Sequence, residues 1–226
     1  MGLISSPEYF DSVAEIYDGF YQTPVSMIEN RLVMDALPED NVIDLGCGTG
    51  IYLKYCTPSK YLGIDTSPGM LEVARKAHPQ RPFELAGMES LPVPDNSFKT
   101  AISLFGSMSY CIAPLKAVNE IYRVLETGGV SYVMLYTETR MNNKSESLIH
   151  QVSHKVKVKT YTVEDARILF SEFDTVEVRG VNLLLNGLRF LPTRLLSFYA
   201  KLENMTLSRL LRVQSHFLMV KAGKNA

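Results

Sequence analysis

Residues 42–50, Val-Ile-Asp-Leu-Gly-Cys-Gly-Thr-Gly, constrain the fold more than any other stretch of this 226-residue chain. Val42 and Ile43 start an apolar run, Asp44 places a carboxylate in it, and glycine then occupies every second position. The pattern predicts a buried parallel strand breaking into a tight turn, with a helix beyond. Without a Cβ, Gly46, Gly48 and Gly50 allow positive φ and close approach of a ligand to the main chain. The dinucleotide fingerprint G-x-G-x-x-G wants a small residue at position 51, where this chain has Ile51. The loop therefore suits a nucleoside ligand without a pyrophosphate better than a nicotinamide dinucleotide.

A second signal follows at Tyr61-Leu62-Gly63-Ile64-Asp65, an apolar run that ends in a carboxylate fifteen residues after Gly50. At the tip of the second strand of a βαβ unit, such a carboxylate can accept hydrogen bonds from both ribose hydroxyls. The alternative role for Asp65 is a helix N-cap, because Thr66-Ser67-Pro68 reads as a helix start. Strand patterns at 41–45, 60–65, 82–85, 99–105, 129–136, 174–184 and 215–222 are separated by helix patterns at 50–55, 68–77, 114–125 and 162–171. Helical patterns also cover 5–20 and 24–37 at the N-terminus. This alternation predicts an α/β fold with a mainly parallel sheet covered on both faces. Ligands bind such sheets outside the carboxyl ends of their strands.

The chain resembles the class I S-adenosylmethionine-dependent methyltransferases, in particular the broad small-molecule group that includes ubiquinone-type methylases. The resemblance spans roughly residues 9–180 and rests on four stretches in order: the glycine loop, Gly63-Ile64-Asp65-Thr66-Ser67, Glu89 to Phe98, and Glu120 to Gly129. It implies a Rossmann-like, doubly wound sheet of seven strands, one of them antiparallel, with helical insertions. It also implies one methyltransferase domain over 1–226, with residues 1–38 as a helical lid. Two extra segments, 138–160 and 186–213, are expected on the substrate side.

The same resemblance implies a site for S-adenosylmethionine. Gly46, Cys47 and Gly48 would give backbone surface to the methionine and ribose portions, and Asp65 and Thr66 would hold the ribose. Asp44 would support the loop or act through water, or else cap backbone N–H groups. Met70 would pack beside adenine or in the core, and Leu104 lies at the end of the fourth strand. Tyr17 belongs to a Phe-Asp-x-x-Ala-x-x-Tyr-Asp element, Phe10 to Asp18, expected to fold over the cofactor or simply to pack on the sheet. Relatives place an acid where this chain has Gly87, so adenine recognition falls to Glu89 or to backbone groups around Met88. Ser107 and Tyr110 are candidates for orienting the acceptor, or are ordinary loop polar groups. No catalytic base is assigned: His150, His154 and His216 form no interpretable pair.

Composition narrows the partners. A formal net charge of −1 provides no field to attract nucleic acid. Three cysteines without C-x-x-C or His-rich spacing point to a reduced, cytoplasmic protein with no metal site. No apolar run is long enough to span a membrane, although Arg189, Arg194, Lys201, Arg209 and Arg212 leave peripheral membrane contact open. The expected partner is a small-molecule methyl acceptor. Two other functions compete: a nicotinamide-dependent oxidoreductase, and a non-catalytic cofactor-binding module with the same fold.

Overall fold

The computed structural model describes residues 4–22, 24–137, 156–181, 195 and 217–225. The expectations for His150, His154 and His216, for most of 138–160, and for all of 186–213 except Leu195 lie outside the described residues. Seven strands form one sheet: β1 (Asn41–Leu45), β2 (Lys60–Asp65), β3 (Phe83–Leu85), β4 (Phe98–Ser103), β5 (Leu125–Tyr136), β6 (Thr175–Val181) and β7 (Phe217–Gly223). Their order is β3-β2-β1-β4-β5-β7-β6. The pairs among β1 to β5 are parallel, and β7 runs antiparallel between β5 and β6. The sheet thus has the expected seven strands with one reversed.

Burial on both faces explains the apolar strands. In β1, Ile43 and Leu45 join one core cluster and Val42 joins the other. In β7, Leu218, Val220 and Ala222 face the first cluster while Phe217 and Met219 face the second. Helix α3 (Pro68–Ala77) starts with Ser67 as N-cap, its hydroxyl accepting from the Met70 N–H at 3.1 Å, and with Pro68 where a missing N–H is harmless. Helix α4 (Pro114–Val124) buries Ala117, Val118, Ile121 and Val124, one stripe at helical spacing. Before them lie α1 (Ser6–Val13), 3₁₀ turns over Ala14–Tyr21 and α2 (Pro24–Met34); α5 (Val163–Leu169) follows β5.

Two elements depart from the sequence expectation. The helix expected at 50–55 is a 3₁₀ turn over Ile51–Lys54. Only a short connection, containing Pro58, separates it from β2, and it has no room for a longer α-helix. Strand β5 starts four residues earlier than expected, at Leu125, because it rejoins β4 across an irregular stretch containing Gly128 at φ 81°. The Arg123 guanidinium fastens α4 to the loop before β4, donating to Val93 O at 2.9 Å and to Leu91 O at 3.2 Å. Glu120 accepts from the Leu91 N–H at 2.6 Å.

Candidate cofactor and acceptor site

Strand order reverses between β1 and β4, and the loops that follow these two strands diverge at the carboxyl edge of the sheet. This is the crevice in which open α/β sheets hold ligands. Gly46, Gly48 and Gly50 follow β1 with φ of 72°, 53° and 79°. The loops touch at one point: the Ser107 hydroxyl reaches Gly46 O and Leu104 O, each at 3.0 Å. A Cβ on Gly46 would stand 2.5 Å from the Ser107 Cβ, so only glycine fits. At Gly48 a Cβ would meet no atom within 4 Å, and the bare backbone borders open space.

Asp65 ties this loop to β2. Its Oδ2 accepts from the Gly48 N–H at 2.8 Å and its Oδ1 from the Ser67 N–H at 2.9 Å. Burial raises its pKa, and the bonds from Ser67 and Gly48 oppose the rise. Since Ser67 is the N-cap, the helix-capping alternative for Asp65 is taken by a neighbour.

The N-terminal segment crosses the crevice and is pinned at both ends. Asp11 Oδ1 accepts from the Ser67 hydroxyl at 2.5 Å and from the Gly69 N–H at 2.8 Å, placing negative charge at the N-terminus of α3. Asp18 accepts from the Thr49 hydroxyl at 2.6 Å and pairs with Lys54. Between these pins, Phe10 meets Tyr17 edge-on at 6.0 Å and Tyr110 at 5.2 Å, and Tyr110 meets Tyr136 at 5.9 Å. The result is a cleft of ≈ 410 Å³ whose lining combines Gly46, Gly48, Asp65 and Glu89 with the rings of Phe10, Tyr17, Tyr110 and Tyr136.

Residues 43–133 match the family model described as a methyltransferase domain. Over this stretch the chain is similar to that methyltransferase family. Its sequence relatives include the demethylmenaquinone methyltransferase of Chlamydia trachomatis, 36% identical over 132 residues, which are 53% of this chain and 56% of the relative. The malonyl-[acyl-carrier protein] O-methyltransferase of a Marinomonas strain is 28% identical over 183 residues, 77% of this chain and 65% of that one. This chain spans about half the length of the first curated relatives it matches. A SAM-dependent methyltransferase from Thermotoga maritima has the same fold, with TM-score 0.67 at 19% identity over 97% of this chain and 99% of that one.

The cleft brings together ten of the residues expected from sequence. Tyr17, Gly46, Gly48, Asp65, Thr66 and Met70 line it, and so do Met88, Glu89, Ser107 and Tyr110. The other four are not among the lining residues. Asp44 is buried and, rather than capping backbone N–H groups, accepts from the Tyr61 hydroxyl at 3.0 Å. Burial and the nearby Asp65 carboxylate raise its pKa to about 7, against the lowering effect of Tyr61. Cys47 and Leu104 are core residues, and burial pushes the Cys47 thiol far above its usual range. Gly87 leaves its side-chain space to Glu89, whose Oε2 would lie 2.9 Å from a Cβ there.

Glu89 is itself held in place: its Oε1 accepts from the Cys111 thiol at 3.0 Å and from the Ile112 N–H at 3.2 Å. Burial pushes its pKa up, but these hydrogen bonds prevail and keep it below the usual carboxylate range. Sequence reasoning missed Tyr21, Phe105, Tyr136, Ile112 and Lys157, which also line the cleft. Tyr136 had a usable signal, since it closes β5 at the carboxyl edge. Asp11 and Asp18 sat inside the quoted N-terminal element without a role.

Proposed function

We propose that this protein transfers the methyl group of S-adenosylmethionine to a small-molecule acceptor. The observation that carries the proposal is Asp65, a carboxylate at the tip of β2 that already orders the glycine loop. Its two oxygens accept from the Gly48 and Ser67 N–H groups, with Thr66 adding a further backbone interaction, and a carboxylate's roughly four acceptor positions still leave room for a ribose hydroxyl. The open space at Gly48 fits a ligand lying against bare backbone. Glu89, filling the space an acid at 87 would use, is the side chain that reads the adenine edge.

When bound, S-adenosylmethionine supplies a methyl group already activated on a sulfonium. What remains for the protein is to orient the acceptor and keep water out. Phe10 and Tyr17 from the N-terminal lid, with Tyr110 and Tyr136 from the sheet side, form the apolar middle of the cleft. Burial pushes the phenols of Tyr17 and Tyr110 well above their usual range, and burial with Glu89 raises the Cys111 thiol to about 12. None of these three gives up its proton near neutral pH, so they shape the cleft without exchanging protons. A volume of ≈ 410 Å³ suits small ligands, and the demethylmenaquinone relative is named for a small-molecule acceptor.

Two features weigh against the oxidoreductase. Ile51 fills the third small position, and only a 3₁₀ turn follows the loop, so no α-helix N-terminus stands ready for a pyrophosphate. A cytoplasmic location remains part of the proposal, and no helix among the described residues is long and apolar enough to cross a membrane. Calorimetric titration with S-adenosylmethionine and with NADH is the first test. Transfer of an isotope-labelled methyl group to fractionated metabolites, with the acceptor identified by mass, is the second. NADH binding without S-adenosylmethionine binding overturns the proposal; cofactor binding without transfer to any fraction favours the non-catalytic module.

A further inference from the structure

Among the described residues, the charged side chains lining the cleft are Asp65, Glu89 and Lys157. Asp65 accepts from the Gly48 and Ser67 N–H groups, and Glu89 from the Cys111 thiol and the Ile112 N–H. Lys157 lines the same cleft, is exposed, and has no acidic partner among the described residues. Its neighbour Lys159 is differently placed, its ammonium lying 3.4 Å from Ile112 O.

The backbone that presents Lys157 is anchored on both sides. Val156 is buried with Tyr9 in a small apolar cluster against Phe10 and Tyr110. Beyond Lys157, the Lys159 N–H donates to Ser109 O at 2.8 Å and the Tyr161 N–H to Tyr136 O at 2.9 Å. A lysine with no acidic partner among the described residues thus projects from an anchored stretch of backbone next to aromatic side chains.

We propose that Lys157 is a specificity residue, selecting an acceptor that carries an anionic group, carboxylate or phosphate, on a flat apolar body that lies against Phe10, Tyr110 and Tyr136. The inference rests on the methyltransferase reading and deepens it. An ammonium is a compact point charge that accepts either anion. In a cleft whose middle is apolar, one such charge discriminates by sign while the rings contribute contact area. An anionic acceptor also approaches a sulfonium with favourable electrostatics, whereas a cationic one meets repulsion from Lys157 and from the methyl donor.

The test uses the full chain saturated with S-adenosylhomocysteine and four probes: benzoate, phenyl phosphate, benzamide and benzylamine, each titrated by ligand-observed NMR. Both anions should bind roughly two- to fivefold tighter than benzamide, the scale of one exposed ion pair. Benzylamine should bind most weakly, and the advantage of the anions should shrink as salt rises. Lys157→Gln should bring the anions to the level of benzamide without changing affinity for S-adenosylhomocysteine, and Lys157→Arg should retain the preference. Phenyl phosphate against benzoate tells which anion is favoured. Equal binding of benzamide and the anions, unchanged anion affinity in Lys157→Gln, or no binding of any probe overturns the proposal. If S-adenosylhomocysteine itself does not bind, the methyltransferase reading fails, and the same four probes titrated into the free protein still decide the role of Lys157.

Discussion

At the scale of single residues, two carboxylates twenty-one positions apart in sequence, Asp44 and Asp65, show how placement divides labour. Asp44 is the penultimate residue of β1 and Asp65 the last of β2, yet only Asp65 lines the cleft. Asp65→Ala should weaken S-adenosylmethionine binding by on the order of 1.5–3 kcal/mol for each charged hydrogen bond lost. Because Asp65 also holds Gly48 and Ser67, the same variant should lose some stability in urea. Calorimetry on protein with an intact circular dichroism spectrum checks the first effect, and unchanged affinity would remove Asp65 from the ribose site. Asp44 makes a different prediction. Its folded pKa of about 7 lies above the usual carboxylate value, so its favourable contribution is fully present below pH of about 4 and lost as pH rises through about 7. Asp44→Asn removes that titration while leaving an acceptor for the Tyr61 hydroxyl. Relative to wild type, the variant should gain stability with rising pH, at a slope approaching about 1.4 kcal/mol per pH unit within the window and flat above it. Urea unfolding at several pH values measures this directly; a pH-independent difference would show that Asp44 is not protonated in the folded protein.

At the scale of elements, the N-terminal segment is a cover tied by its acids rather than by a large core. Asp11 bonds the first turn of α3, and Asp18 bonds Thr49 and Lys54 next to the glycine loop. Both anchor points adjoin residues that line the cofactor end of the cleft. Asp11→Asn combined with Asp18→Asn should loosen the cover without disturbing the sheet. Each lost charged contact is worth about 1 kcal/mol at such positions. Cofactor release in stopped flow should quicken by roughly five- to thirtyfold, given that about 1.4 kcal/mol is tenfold. Proteolysis within residues 6–21 should also become faster. An unchanged release rate would mean that the segment packs on the sheet without gating the cleft.

At the scale of the whole molecule, β7 is last among the described strands but lies inside the sheet. It is the described partner of β6 and joins β6 to β5. Phe217, Leu218, Met219 and Val220 are all buried, shared between the two faces. Burying such side chains contributes about 1.5–3 kcal/mol each, a sum comparable with the roughly 5–15 kcal/mol that holds a whole domain together. Ending the chain at 214 should therefore leave it without a cooperative unfolding transition, and a truncated protein that unfolds cooperatively in urea would contradict this account. Lys224 adds a clasp, donating to Leu125 O at 2.7 Å and Tyr122 O at 3.0 Å at the end of α4.

The sequence by itself determined the strand set, the helix starts at Pro68 and Pro114, and the glycine loop with Asp65 beyond it. Those features come from local physics: apolar runs buried on both faces, proline and hydroxyls at helix starts, and glycines where φ turns positive. The 3₁₀ turn at Ile51–Lys54 was not legible, because the length of that connection is set by how β1 and β2 pair. Only the tertiary structure separated Asp44 from Asp65, since burial and the Tyr61 hydroxyl depend on neighbours that sequence spacing does not name. The same holds for Glu89 filling the space at Gly87, and for Tyr136 and Lys157 meeting Phe10 across one cleft. Phe10 lies more than a hundred positions from Tyr136 and Lys157, and only packing decides that they share a cavity.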